Sequence, residues 1–415
     1  MAATPSVPPA LRRWDLFCRV IDNHGDLGVC LRLGRDLVSR GAQVRMWCDD
    51  PSALQWMQPG LMAGLDILPW PPGADFSAPA DVGDVVIEAF GCDLPAPYLS
   101  AMAARRRAPV WINLEYLSAE PYVERSHGLQ SPQFSGPAKG LNKWFFYPGF
   151  TGRTGGLLRE PSLLAHLHAL DAPTTHAPPT PETLNAAPPH SPNFSPNPAA
   201  IRPLADRPAH DKPAHKTPAD DWLTAHGWAP RPGERVLSLF AYPHAAWDHL
   251  LNRLTGPWLL LLCPGAAPQQ VPPLLRPGQR CIALPYLSQT DYDRLLQSCD
   301  FNLVRGEDSF VRAQWAGRPM LWQIYFQDDG AHSPKLQAFL DLAWADAAPG
   351  TRAAWASLHR AWNGLGAWDD AAASALADLD GARLQAVAWR AKLMEQPDLV
   401  TQLMGFALGK AGVSG

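Results

Sequence analysis

Two short stretches of the chain concentrate residues able to do chemistry. The first is VIDNHGDLGVCLRLGRDL, in which Asp22, Asn23, His24 and Asp26 lie between Ile21 and Leu27, with Gly25 and Gly28 interleaved. Two carboxylates within five residues could divide the work of holding and deprotonating a nucleophile, and glycines let backbone approach closely. A helix cap explains one aspartate, since Asp is a favoured N-cap, but leaves the other without a task. The spacing is not the dinucleotide fingerprint of alternating glycines. The second stretch is NLVRGEDSFVRAQWAGRPMLWQIYFQ, where Arg305, Gly306, Glu307, Asp308 and Ser309 follow an apolar run. A helix opening near Asp308 offers free N–H groups and a partial positive charge, a natural seat for a diphosphate, and Arg305 adds a full charge beside it. Asp308 or Ser309 as a cap and Glu307 as a first-turn partner account for the helix start, not for the adjacent arginine.

Both stretches need elements to hold them. WDLFCRVI reads as a buried strand and VCLRLGRDLVSRG as the helix after it, stopping at Gly41. QVRMWCDD, DVVIEAF and APVWINLEYLS read as further strands, with PSALQWMQ as a helix between the first two. Alternation resumes at ERVLSLFAY and runs through helix AAWDHLLNRL, strands WLLLLC and RCIALPYL, helix TDYDRLLQSC, strand DFNLVRG and helix SFVRAQWAG. Strands joined by helical crossovers make parallel, doubly wound sheets, whose ligands bind beyond the carboxyl ends of the strands. Both chemical stretches fall there. The Ala- and Trp-rich remainder from about Pro334 reads as helical. Between the two halves, residues 171–220 hold 13 prolines and four histidines, His176, His190, His210 and His215. Such composition buries little apolar surface and predicts a disordered or polyproline-like linker, and the irregular histidine spacing does not predict a metal tract.

Bulk composition excludes several classes. With 35 basic and 39 acidic residues in 415, the net charge is -4, and the only basic block is Arg105-Arg106-Arg107. A phosphate-backbone binder is not expected. Seven cysteines without C-x-x-C spacing suggest neither a disulfide framework nor a zinc site. No segment reaches the roughly 18 apolar residues of a membrane span, and the first residues lack the apolar core of a signal peptide, so a cytoplasmic protein is expected.

The strings FCRVIDNHGDLGV, SLFAYP, LPYLSQTDYDRLL and RGEDSFVRAQWAGRPMLWQIY, spread in order over both halves, resemble the segments that mark the EF-P arginine rhamnosyltransferases (the EarP family). That resemblance implies an α/β, GT-B-like fold: two doubly wound Rossmann-like domains facing a central cleft, with a helical C-terminal tail. The corresponding division is 1–170 on the acceptor-protein side, linker 171–220, 221–380 on the nucleotide-sugar side and a tail over 381–415. It implies transfer of L-rhamnose from dTDP-β-L-rhamnose to an arginine of translation elongation factor P, with inversion and without a metal or other cofactor. It also implies roles. Asp26 is the expected base, with Asp22 and Glu307 catalytic beside it and Asn23, His24 and Gly25 completing the acceptor loop. Tyr242, Arg305, Glu307, Asp308 and Ser309 are expected around sugar and diphosphate, with Tyr286 and Gln289 at the thymine. His24 and Tyr286 stand where Phe is usual in the family. Read without the family, Tyr242, Tyr286 and Gln289 are ordinary packing or loop residues. Two other readings share the architecture: a GT-B transferase with a different acceptor, and a non-catalytic sugar-nucleotide or EF-P binding protein that tolerates loss of Asp26.

Overall fold

In the computed structural model, the residues described are 5–21, 24–60, 62–71, 76–79, 81–163, 167, 218–243 and 246–412. Asp22, Asn23 and the proline-rich stretch up to 217 therefore lie outside them.

The first sheet has strands β1 (Arg13–Cys18), β2 (Gln43–Cys48), β3 (Leu65–Pro69), β4 (Val85–Ala89), β5 (Val110–Leu114), β6 (Gln130–Pro132) and β7 (Asn142–Phe146), in the order β3-β2-β1-β4-β5-β7-β6. Every pairing is parallel except β6 with β7. The second sheet has strands β8 (Arg235–Leu239), β9 (Trp258–Leu262), β10 (Gln279–Ala283), β11 (Phe301–Arg305) and β12 (Met320–Gln323), ordered β10-β9-β8-β11-β12 and parallel throughout. The central strands β4, β5 and β9 are buried at every position. Helices covering both faces of a parallel sheet require that, which is why these segments read as continuous apolar runs. The sequence reading missed β3, β6, β7 and β12. All four lie at or next to a sheet edge, and in the first three part of the strand is exposed and the apolar run breaks up.

Each sheet reverses direction of winding once. From β1 the chain proceeds to β2 and β3 on one side, then returns to β4 on the other; from β8 it proceeds to β9 and β10, then returns to β11. Crevices open beyond the carboxyl ends of strands at such reversals. The loop before the Gly25–Ser39 helix follows β1, Tyr242 follows β8, and Gly306–Glu307 follows β11.

The C-terminal region is not one tail. The Leu379–Met394 helix joins the second core through Leu379, Ala382, Trp389 and Leu393. The Leu399–Lys410 helix crosses back and buries Leu399, Val400, Leu403, Met404 and Ala407 in the first. Grouping 381–415 together divides the sequence where the packing does not: an amphipathic helix announces a buried face, not the domain that buries it. The crossing is tied by Leu399 N donating to the Leu157 carbonyl at 2.9 Å and Arg159 Nη2 to the Gln396 carbonyl at 2.8 Å.

Candidate functional site between the two domains

A cavity of about 240 Å3 lies between the two sheets, lined from the first domain by His24, Gly25, Arg32 and Trp56 and from the second by residues after β8, β10 and β11. Of the residues singled out in the sequence, His24, Gly25, Tyr242, Tyr286, Gln289, Arg305, Asp308 and Ser309 all line it.

On the second-domain wall, the Arg305 guanidinium carbon lies 4.4 Å from the Phe240 ring centre and 4.5 Å from that of Tyr242. Two aromatic rings restrict a guanidinium and leave its edge for hydrogen bonding. Its Nε is buried without a hydrogen-bond partner among the described residues, so the wall holds an unspent donor. The Ser309 hydroxyl accepts from Arg305 N at 3.1 Å and donates to the Arg305 carbonyl, which fixes the strand end to the Asp308–Ala316 helix. That hydroxyl is not a helix cap; Glu307 occupies the N-cap position and makes no side-chain cap bond. The first N–H groups of the helix are thus not claimed by a cap. Gly306 turns the chain with φ 61°, and its carbonyl accepts from Trp322 Nε1 at 2.8 Å. Gln323, at the end of β12, accepts from Tyr242 N at 2.7 Å and so holds Tyr242 beside Arg305.

On the first-domain side, the Gly25–Ser39 helix begins before the VCLRLGRDLVSRG stretch read as helical in the sequence, with His24 as N-cap and Asp26 in the first turn. Asp26 is 2% exposed, and its Oδ2 accepts from Ile21 N at 2.8 Å, closing the loop over itself. Glu307 reaches across from the second domain to accept from Leu117 N at 2.9 Å. Burial pushes its carboxyl up to about 7; Lys335 and the Leu117 N–H pull it down, while Asp26 and Asp308 raise it further. Asp26 and Glu307 are two carboxylates from opposite domains close enough to influence each other.

An aromatic group closes one end. Trp56 and Tyr286 rings are 4.3 Å apart, His24 lies 5.4 Å from Trp56 and 6.5 Å from Tyr286, and Tyr286 remains 53% exposed. Gln289 differs from expectation in its partners. Its side chain is 4% exposed, donates to the Gly28 carbonyl at 2.9 Å and accepts from Arg35 Nη1 at 3.4 Å. The amide expected at the edge of a base thus joins the two domains here. Gly28 departs similarly: a Cβ there would stand 3.0 Å from Asp308 Oδ2, so the close approach it permits is to the other domain. Trp56, Phe240 and Arg32 were missed in the sequence because each reads as an ordinary core or surface position; an aromatic just past a strand end, as at Phe240, was the one available signal.

A two-domain α/β protein with parallel sheets and a cationic, aromatic-walled cleft between them is the class this fold and site define. Residues 14–195 and 202–408 match the family described as Elongation-Factor P (EF-P) rhamnosyltransferase EarP, and the chain belongs to that family. It is 40% identical over 417 residues to a protein-arginine rhamnosyltransferase of Pseudomonas putida, covering 95% of this chain and 98% of the relative. A Pseudomonas aeruginosa protein of the same description is 37% identical over 421 residues, at 95% and 98% coverage. A solved structure presented as the structural basis for EarP-mediated arginine glycosylation of translation elongation factor EF-P superposes with a TM-score of 0.60 at 30% identity, over 97% of this chain and 99% of that one. The protein is accordingly a GT-B-type enzyme, a protein-arginine rhamnosyltransferase. Among the described residues, no helix is long and apolar enough to cross a membrane.

Proposed function

We propose that this enzyme moves L-rhamnose from dTDP-β-L-rhamnose to one arginine of translation elongation factor P in the cytoplasm, with inversion at the anomeric carbon. The observation that carries the donor side is the buried, unpartnered Arg305 Nε beside an uncapped helix start. The diphosphate lies there, and the thymine lies toward Tyr286. The family description and the EF-P structure support the acceptor.

Arginine is a poor nucleophile because its guanidinium stays protonated and its lone pairs are delocalised. The Asp26 carboxylate therefore holds the guanidinium by a charge-assisted hydrogen bond and takes its proton as the nitrogen bonds to the anomeric carbon. The bond from that carbon to the diphosphate oxygen breaks on the opposite face, which inverts the centre. Charge growing on the departing diphosphate meets Arg305 and the helix N-terminus, a preorganised field that in this reading needs no metal. Glu307 would repel phosphate, so it serves the guanidinium or the sugar hydroxyls. Asp22, outside the described residues, keeps its expected role of orienting the acceptor.

Replacing Arg305 by alanine tests the assignment. Hydrogen bonds to charged groups are worth roughly 1.5–3 kcal/mol, so dTDP affinity by calorimetry should fall about tenfold or more while EF-P is still captured. Unchanged dTDP affinity with lost EF-P binding would put this segment on the acceptor side instead.

A further inference from the structure

A diphosphate seat that opens with an aspartate contains an objection to itself. Asp308 is the first residue of the helix whose N-terminus faces the cavity, and at that position its charge repels phosphate. The countercharge comes from the other domain. Arg32, in the middle of the Gly25–Ser39 helix and with a 3% exposed side chain, donates from Nε to Asp308 Oδ1 at 2.8 Å. The same guanidinium reaches Asp293 at 3.0 Å and Glu160 at 3.4 Å, and its Nη2 also donates to the Gln289 carbonyl at 3.4 Å. Asp293 and Glu160 have a second cation in Arg312, which bonds both, whereas among the described residues the ion pair of Asp308 is with Arg32. The contact is also sterically set, because the Gly28 Cα stands where an added methyl would meet the Asp308 carboxylate.

Resting on the donor reading above, we infer that Arg32 is a positioning residue of the donor site: it neutralises Asp308 across the domain boundary and so lets the second-domain helix start accept a diphosphate. Donor binding in this enzyme then depends on a residue of the acceptor-side domain. Nothing in the sequence marks Arg32, which looks like one of several charges on a helix. Lysine could supply the charge but not the three-way fork.

The test is a double-mutant cycle read by calorimetry with dTDP on the full-length enzyme. Arg32→Gln should weaken dTDP binding about tenfold, the scale of one charge-assisted interaction. In an Asp308→Asn background the same substitution should change affinity by less than about twofold, because no charge remains to neutralise. A purely architectural role would cost the same in both backgrounds, and that result overturns the inference. So does undiminished binding by Arg32→Gln. If wild-type enzyme fails to bind dTDP at all, the donor reading falls first and this inference with it. Should Arg32→Gln not fold, two gentler variants carry the question. Arg32→Lys keeps the charge and should stay within about threefold of wild type, whereas Gly28→Ala displaces the Asp308 carboxylate with all charges present and should weaken dTDP. Gly28→Ala binding dTDP like wild type, or Arg32→Lys binding it about tenfold or more weakly than wild type, contradicts the inference.

Discussion

Glu307 shows how a single carboxyl ties the two domains to the chemistry. Its ordinary value of 4.5 is raised to about 7, by burial first and then by Asp26 and Asp308. In the free enzyme it is therefore protonated over much of the range where an exposed glutamate is ionised, and it can pair with a guanidinium only after losing that proton. kcat/KM for the acceptor should accordingly rise as pH climbs through about 7, since this ratio reports groups of the free enzyme. Glu307→Gln should be slower and should lack that limb; an unchanged limb would assign it to another group. Stability runs the opposite way. Between 4.5 and about 7 the folded chain holds a proton that the unfolded chain has released, so this residue's contribution falls as pH rises through that window.

At the level of elements, the Leu399–Lys410 helix makes the first domain depend on the last residues of the chain. Leu403 is fully buried among first-domain residues. Truncating a leucine in such a setting costs about 2–5 kcal/mol, so Leu403→Ala should lower the denaturant midpoint markedly, with the first-domain signal lost earliest. A loss below about 0.5 kcal/mol would mean the helix is not part of that core. This element also marks the limit of what the sequence discloses. The strands WLLLLC and DVVIEAF are legible because both of their faces are buried, and the loops bearing Asp26 and Arg305 are legible because each follows such a strand. The partner of an element is a different matter. Gln289, placed at a base by the family resemblance, is found bonded to Gly28; Arg32, not singled out in the sequence, is found on Asp308. In both pairs more than 250 residues of chain separate the members, and local pattern carries no information about contacts made only when two domains meet. Trp56 escaped notice for the same reason, since its ring gains meaning from Tyr286 of the other domain, whereas Phe240 gains its meaning from Arg305 on a neighbouring strand of its own sheet.

For the molecule as a whole, the proposed reaction draws on two halves of the cleft that are each incomplete. The first domain brings Asp26 and Arg32, the second Arg305, Glu307 and the helix start, and the seam between them is sealed by the Arg32 and Arg312 ion pairs with Glu160, Asp293 and Asp308. Burial alone would push the Arg32 guanidinium down, but its three carboxylates outweigh that and hold it firmly protonated, while the same arginines hold Glu160 near 2 against its own burial. In the proposed reaction this cleft joins L-rhamnose to an arginine of EF-P with Asp26 as base. Its most direct test is the intact mass of purified EF-P after incubation with dTDP-β-L-rhamnose and either wild-type enzyme or Asp26→Asn. The account predicts a single addition of about 146 Da, the residue mass of one deoxyhexose, located on one arginine by fragmentation. With Asp26→Asn the initial rate should fall about 10²- to 10⁴-fold while dTDP still binds. EF-P left unmodified by wild-type enzyme, or modified by Asp26→Asn within a few-fold of the wild-type rate, would contradict it.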